Sequence, residues 1–293
     1  MIIFDGLKRA AEKETALLPK INKLKSQGIN LKVVAVLFKE DAGSILYSNL
    51  KREVALRLGI TYELHEFSFQ EPVEKILTVL TQLGEDKTIT GIIIQKPRRQ
   101  TWADHNFLQG RDKDIAAAFR LWWTLLTSKI KAQQDVDGLH PTAESIVLPA
   151  TAAAVLDILA KSKIDLTQKK IIILGKSDLL GQPLYKYFLE KNLQVEMIGS
   201  RELAERIAAG KNLFDADLII SATGRAKLIT GDLLKAGVAL IDVGEPKGDV
   251  DFQSVADKAS FITPVPGGVG PMTVISLMEN CVTLAEAYAI IGS

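Results

Sequence analysis

A single cysteine, Cys281, in 293 residues rules out an internal disulfide framework and a thiolate zinc cluster, and its apolar-periodic surroundings give it a packing role. Histidine is scarce too: His65, His105 and His140 fall at no metal-ligand spacing, so no metal site is expected. No run of about eighteen apolar residues occurs, and Met1-Ile-Ile-Phe-Asp-Gly lacks a basic segment followed by an apolar one. A cytoplasmic protein without membrane contact is the expectation. A formal net charge of +1 removes any general electrostatic case for nucleic acid. What remains, 47% hydrophobic and 24% charged residues, is the composition of a globular chain long enough for about two domains.

Short β-branched apolar runs alternate with longer helical patterns, which marks an α/β protein. The first part predicts helix Leu7–Ser26, strand Lys32–Phe38, helix Ser44–Leu58, strand Thr61–Glu66, helix Pro72–Leu83 and strand Gly91–Gln95, a parallel αβ unit. From Gln100 to Gln134 the pattern changes. There the aromatic stretch Ala116–Lys131 predicts one or two helices that cover a sheet or form an interface, with Trp122 and Trp123 in the core. A second unit begins near Leu148 with helix Thr151–Lys161, strand Lys170–Leu174, helix Gln182–Lys191, strand Gln194–Ile198 and helix Arg201–Ala209. Strand Leu218–Ala222, helix Gly231–Ala236, strands Ala239–Val243 and Ser260–Thr263, and a last helix Pro271–Ile291 follow. Such spacing is that of a doubly wound sheet, which binds ligands at the carboxyl ends of its strands.

Phe261-Ile-Thr-Pro-Val-Pro-Gly-Gly-Val-Gly-Pro-Met-Thr273 holds three prolines and three glycines and can be neither ordinary helix nor central strand. It reads as a rigid loop that feeds exposed N–H groups, and those of the helix after it, toward something bound; a tight turn between elements is the alternative. Gly175-Lys-Ser-Asp-Leu-Leu-Gly181 follows a buried strand and opens a helix, the position of a dinucleotide phosphate loop, although the glycines stand six apart and Ser177 replaces the middle one. After the next strand comes Gly199-Ser200-Arg201 where an NAD site usually has an acid. With Lys176 across the turn, a hydroxyl beside a guanidinium suits a 2′-phosphate, so NADP is favoured over NAD; the other reading makes Ser200 a helix cap. Tyr47 and Lys51 share one helix face, where they either stack a flat ligand and carry a proton or form a solvated turn. Gln95 ends a buried strand and needs a partner, in a site or in the core. Asp135-Val-Asp137-Gly is a polar turn with two carboxylates.

Seven segments in order resemble the bifunctional methylenetetrahydrofolate dehydrogenase/methenyltetrahydrofolate cyclohydrolase family: Tyr47–Lys51, Gly91–Gln95, Asp135–Gly138, Gly175–Gly181, Asp242–Gly244, Gly248–Phe252 and Thr263–Thr273. The resemblance implies a two-lobed α/β enzyme. Its N-terminal parallel αβ catalytic domain would span residues 1–147, completed by the C-terminal helix 271–293, and a Rossmann-like doubly wound NAD(P)-binding domain would span 148–270. It implies oxidation of 5,10-methylenetetrahydrofolate with NADP, then hydrolysis to 10-formyltetrahydrofolate, in a homodimer. Tyr47 would stack on the p-aminobenzoate, Asp137 would bind the pterin, and Lys51, held near Gln95, would move the protons of hydration. Pro266, Gly267 and Gly268 would lie beside the folate. Thr151, Gly175, Lys176, Ser177, Gly181, Ser200, Arg201, Gly244 and Thr273 would hold the nucleotide.

Several departures stand out. Lys96-Pro97-Arg98-Arg99 replaces an apolar Leu-Pro-Leu-Pro wall, Pro149-Ala-Thr151-Ala replaces Pro-Cys-Thr-Pro, and Lys176 replaces an arginine. Glu245-Pro246 replaces Ile-Asn after Asp242-Val-Gly, where a carboxyl near a nicotinamide is unexpected. Two further readings follow: a dehydrogenase without the hydrolase, if the basic segment spoils hydration, and a non-catalytic dinucleotide-binding regulatory protein. Convergence of Tyr47, Lys51, Gln95 and Asp137 argues against the latter.

Overall fold

The structure, a computed structural model, describes residues 1–106, 112–140 and 145–289. In chain order its elements are β1 (Ile2–Ile3), α1 (Gly6–Ser26), β2 (Lys32–Phe38), α2 (Ala42–Arg57), β3 (Thr61–Phe67), α3 (Val73–Glu85), β4 (Gly91–Ile94), α4 (Arg99–His105) and α5 (Asp112–Thr127). Then come α6 (Ala150–Ser162), β5 (Lys170–Leu174), α7 (Gly181–Glu190), β6 (Gln194–Ile198), α8 (Ser200–Ala208), β7 (Leu218–Ser221), β8 (Val238–Asp242), β9 (Ala259–Ile262) and α9 (Val269–Ala289). Contacts divide the chain into two units, Glu14–Leu148 with Leu277–Ser293, and Met1–Lys13 with Pro149–Ser276.

The first unit is built on a parallel three-stranded sheet, β3-β2-β4. Val33 to Phe38 are all buried, because a parallel strand covered on both faces has no need of alternation. Gly91 opens β4 for a steric reason: a Cβ there would overlap the Val136 side chain, and Ile92 bridges to Asp135. The turn around Asp137 is thus pressed directly onto β4. Among the described residues, the stretch from Gln100 to Gln134 holds two helices, α4 and α5, and the aromatic run from Ala116 lies in α5 and the turn after it. Phe38 on β2 stacks on Phe69 at 4.7 Å and meets Trp122 at 5.1 Å, while Trp102 meets Phe119 at 5.3 Å. Trp123 is buried and Trp122 half-buried, so both serve packing.

The second unit carries a parallel six-stranded sheet, β1-β9-β8-β7-β5-β6. From β5 the chain steps outward to β6 and then returns past it to β7, which makes β5 the point of reversal where doubly wound sheets take ligands. Ile172, Leu174, Ile219, Leu240 and Ile262 lie in one buried cluster, each contributing on the order of 1.5–3 kcal/mol by leaving water.

Strand β1 escaped the sequence reading, since two residues carry no periodicity; Ile2 and Ile3 pair with Phe261 and Ile262. The helix expected over Gly231–Ala236 is instead one 3-10 turn, Gly231–Leu233, followed by an extended Leu234. Its first residue packs so tightly on the Ser254 carbonyl that no Cβ fits, and glycines at 231 and 237 leave too few residues between them for a helix. Helix α9 begins at Val269, with Pro271 in the first turn, where no N–H is needed.

Candidate active site

Helix α2 turns one face inward, and that face is polar: Ser44, Ser48, Lys51 and Ala55, at spacings of four, three and four, are its buried residues. Asp41 caps it by accepting from the Ser44 N–H at 2.8 Å and the Ser44 hydroxyl at 2.7 Å. Lys51 is only 6% exposed. Burial lowers its pKa below the usual 10.5, and the negative charge of Asp137 opposes that shift. Tyr47 lies half-buried one turn before Lys51, which removes the reading of a fully solvated face.

Gln95 follows β4 directly. Its backbone N–H donates to Val36 O at 2.8 Å, its side chain is buried, and its Nε2 finds no hydrogen-bond partner among the described residues. The two carboxylates of the polar turn take different parts. Asp135 is fully buried and accepts from the N–H groups of Leu139 and His140, both at 2.9 Å, so it shapes the turn. Asp137, half-buried, acts electrostatically on Lys51 and on Tyr62. Asn280 fixes the same turn, its Nδ2 donating to Val136 O at 2.9 Å and Leu148 O at 2.8 Å.

In the six-stranded unit, Gly175 ends β5 with φ +115°, and a Cβ there would stand 2.6 Å from Ala222 O. A Cβ on Gly181 would overlap Gly175 O. Glycine at both positions draws the turn down onto β7 and leaves Lys176, Ser177 and Asp178 exposed above it, at the start of α7. At Gly224, just beyond β7, a Cβ would meet nothing within 4 Å. A tight glycine turn, a free helix start and open space at neighbouring strand ends fit a dinucleotide.

Gly199, not Ser200, is the N-cap of α8, and its N–H donates to the Glu202 carboxylate at 2.6 Å. Lys176 Cε lies 3.8 Å from where a Cβ on Gly199 would be, and its ammonium pairs with Glu202 at 2.8 Å. Arg201 is 91% exposed and turns along α8 to Glu205 at 3.0 Å. Thr151 is half-buried in the first turn of α6, and the Thr273 hydroxyl donates to Val269 O at 3.3 Å in the first turn of α9.

The loop after β8 is tied to one side chain. Asp242 accepts from the N–H groups of Gly244, Asp249 and Val250 at 2.9, 3.0 and 2.9 Å, and burial raises its pKa to about 6. Asp249 accepts from the Ser221 hydroxyl at 2.7 Å and the Thr223 N–H at 2.6 Å. In the Pro-Gly loop, Pro266 is exposed, Gly267 has φ +96° and Gly268 is buried. The Gly6 N–H donates to Gly267 O at 3.0 Å, and no Cβ fits at Gly6 beside Gly268 O.

The sequence reading passed over Gly6, Ser48, Tyr62, Asp249 and Asn280. The Tyr62 hydroxyl lies 3.3 Å from Ser48 Oγ, and burial pushes its pKa to about 12. The signal for Ser48 was present, one turn before Lys51 on the same face; Tyr62 and Asn280 carry none, because what matters is a strand and a helix distant in sequence. Among the described residues no three His, Cys, Asp or Glu side chains are placed to hold a metal ion, and no helix is long and apolar enough to cross a membrane.

Two family models match: the tetrahydrofolate dehydrogenase/cyclohydrolase catalytic domain over residues 4–115 and the NAD(P)-binding domain of the same family over residues 149–289. The bifunctional protein FolD of Bacillus licheniformis is 33% identical over 97% of both chains, and that of Bacillus subtilis 31% identical over the same shares. Among solved structures, the bifunctional FolD methylenetetrahydrofolate dehydrogenase/cyclohydrolase of Campylobacter jejuni is 31% identical, with a TM-score of 0.81 over 98% of this chain and 99% of that one. The Trypanosoma brucei FolD, complexed with NADP and an inhibitor, is 26% identical, with a TM-score of 0.83 over 98% of each chain. Conserved length, both domain models and identity above 30% across nearly the whole sequence together decide the matter: the chain belongs to the tetrahydrofolate dehydrogenase/cyclohydrolase family.

Proposed function

We infer that this protein oxidises 5,10-methylenetetrahydrofolate to 5,10-methenyltetrahydrofolate with NADP and hydrolyses the product to 10-formyltetrahydrofolate, in one-carbon metabolism. The observation that carries the reading is Lys51, a lysine held in the core-facing side of α2 within the electrostatic reach of Asp137, in a chain of this family.

When bound, NADP accepts the hydride that leaves the one-carbon bridge. The chain's own part in that step is positioning, since the cation left behind is stabilised by the folate's N5 and N10. Tyr47 offers a ring to the p-aminobenzoate, and Asp137 two oxygens to the N–H groups of the pterin. Addition of water to the methenyl carbon does need a base. Burial keeps a larger share of Lys51 neutral than solvent would, so its Nζ takes the proton from the attacking water, and Gln95 orients the amine. The unpartnered Gln95 Nε2 supports that assignment, because a bound ligand would satisfy it. The basic Lys96–Arg99 segment does not oppose the lysine. Lys96 Nζ lies 5.0 Å over the Trp123 ring and Arg98 pairs with Asp41 at 3.3 Å, while burial and Asp137 are the influences on Lys51.

For the nucleotide we assign the β5–α7 turn, Gly175, Lys176, Ser177 and Gly181, to the pyrophosphate, and Ser200 and Arg201 with Lys176 to the 2′-phosphate; Thr151, Gly244 and Thr273 line the rest. The ion pairs of Lys176 and Arg201 are exposed and screened by water, so a phosphate can displace their carboxylates. Pro266, Gly267 and Gly268 are assigned to the folate. We further place the protein in the cytoplasm as a homodimer whose 10-formyltetrahydrofolate serves purine biosynthesis; light-scattering mass in solution tests the dimer.

Absorbance at the methenyl band, followed with 5,10-methylenetetrahydrofolate and either NADP or NAD, tests reaction and cofactor together. Formation and subsequent decay of that band with NADP is the expected result. No band with either nucleotide would refute the dehydrogenase, and a band that persists as in buffer would refute the hydrolase.

A further inference from the structure

The Glu245 carboxyl has no ion-pair or hydrogen-bond partner among the described residues, although the loop that carries it is otherwise firmly fixed. That loop leaves β8 and is held at both ends by Asp242, which accepts from Gly244 before it and from Asp249 and Val250 after it. The residue as a whole is open to solvent, but its carboxyl is turned inward: Oε1 would stand 2.9 Å from a Cβ on Gly270, in the first turn of α9. That turn carries no acidic side chain, and burial raises the Glu245 pKa to about 7. Asp242 and Asp249 lie behind on the same loop with their oxygens on backbone and hydroxyl donors, and the cation of the loop, Lys247, is exposed.

Sheet order decides what lies in front of that carboxyl. A dinucleotide whose pyrophosphate rests on the β5–α7 turn extends its adenosine toward β6, where Ser200 and Arg201 stand, and its other half past β7 toward β8. Val243-Gly244-Glu245 follows directly on the carboxyl end of β8. Resting on the nucleotide assignment above, we propose that Glu245 is a specificity-determining residue that discriminates the redox state of the nicotinamide, its carboxylate favouring the positively charged oxidised ring over the neutral reduced one. The ring loses its positive charge when it takes the hydride, so a fixed carboxylate beside it holds the reactant and loosens the product. An apolar residue at this position would treat both forms alike.

Direct binding tests this without turnover. Dissociation constants for NADP+ and NADPH are measured at pH 8.5, where the carboxylate is ionised, by calorimetry and by NADPH fluorescence, for the unsubstituted protein and Glu245→Gln. The expected result is that Glu245→Gln weakens NADP+ about tenfold, equivalent to about 1.4 kcal/mol, and changes NADPH less than twofold. Adenosine 2′,5′-bisphosphate, which lacks the nicotinamide, should bind both proteins equally, and their melting temperatures should agree. Equal effects on both nucleotides, no effect on either, or a loss that extends to the bisphosphate would overturn the proposal and leave the functional reading intact. Failure of the unsubstituted protein to bind either nucleotide would overturn both.

Discussion

Lys51→Met should separate the two activities, because only hydrolysis needs a base. Methionine matches the unbranched length of lysine and sits on a face shared with Ser48 and Ala55, so the packing of α2 survives and a desolvated charge is removed. General-base catalysis contributes about 10²–10⁴-fold, or roughly 3–5 kcal/mol at 1.36 kcal/mol per decade. Hydrolysis of methenyltetrahydrofolate should fall by that factor, while NADP-dependent formation of the methenyl band falls less than about tenfold. The pH dependence carries the same signature. With Lys51 depressed below 10.5, the neutral amine accumulates as pH rises through the lowered value, so hydrolysis by the natural protein should climb and level off at a pH below that of a free lysine. Once corrected for the uncatalysed reaction, the variant's rate should be flat over that window. Stability follows the same sign: between the lowered value and 10.5 the unfolded chain binds the extra proton, so the native protein gains stability with pH, and Lys51→Met abolishes that slope. The two rates are read from one absorbance trace, with and without NADP. Hydrolysis within threefold of the natural protein, or loss of both activities in equal measure, would refute the base assignment.

Asp242→Asn turns an acceptor that receives three backbone N–H groups into one that carries donors of its own, and should cost the six-stranded unit about 2–4 kcal/mol in urea unfolding. Tyr62→Phe removes the contact with Ser48 and nothing of the packing, so a loss of about 0.5–1.5 kcal/mol is expected, with hydrolysis changed more than hydride transfer if the Ser48 face supports Lys51. Lys176→Ala combined with Arg201→Ala should raise the KM for NADP about tenfold and leave that for NAD within twofold; equal changes would remove the 2′-phosphate from these residues.

Much of the fold is legible in the sequence, since parallel strands buried on both faces announce themselves as unbroken runs such as Val33–Phe38 and Ile171–Leu174. Strand β1 is not, because two exposed isoleucines have no period, and their strand character comes entirely from pairing with residues about 260 positions later. The helix expected over Gly231–Ala236 is a single 3-10 turn, because glycines at 231 and 237 leave only five residues between them and Gly231 is held against the Ser254 carbonyl. At the candidate site, Gln95 could be singled out as an amide ending a buried strand, and Tyr47, Lys51 and Asp137 through the family resemblance of the segments that carry them. Their supports could not. Gly91 makes room for Val136 and Asn280 holds the Val136 and Leu148 carbonyls, relations between elements far apart in sequence, while Tyr62 reaches Ser48 from the next element along the chain, a meeting that no periodicity signals.

An unmet hydrogen-bonding atom does not by itself mark a ligand site in this protein. Among the described residues, Gln134 Oε1, Ser276 Oγ and Asp249 Oδ1 are buried without partners just as Gln95 Nε2 is. What separates them is the rest of the side chain and its place. Gln134 donates through Nε2 to Asp86 O and Ile89 O, and the second oxygen of Asp249 accepts from Ser221 and Thr223, so each is already anchored as a structural brace. Ser276 sits in the body of α9, with a small hydroxyl whose burial costs least. Gln95 and Glu245 share a different description. Each lies just beyond the carboxyl end of a parallel strand, β4 in one unit and β8 in the other; Gln95 Nε2 is buried and unfilled, while Glu245 is an exposed residue whose Oε1 faces Gly270. Carboxyl ends of parallel strands are where the backbone frees side chains to face a ligand; for the buried Gln95 Nε2 the cost of staying unsatisfied, on the order of 1–3 kcal/mol, is relieved when a ligand binds, and for Glu245 a cationic ring supplies the opposite charge its carboxylate lacks. Nucleotide and folate should therefore each raise the melting temperature of the protein. The nucleotide's increment should shrink in Glu245→Gln and the folate's in Gln95→Leu, whereas undiminished increments in both variants would show that neither group answers to its ligand.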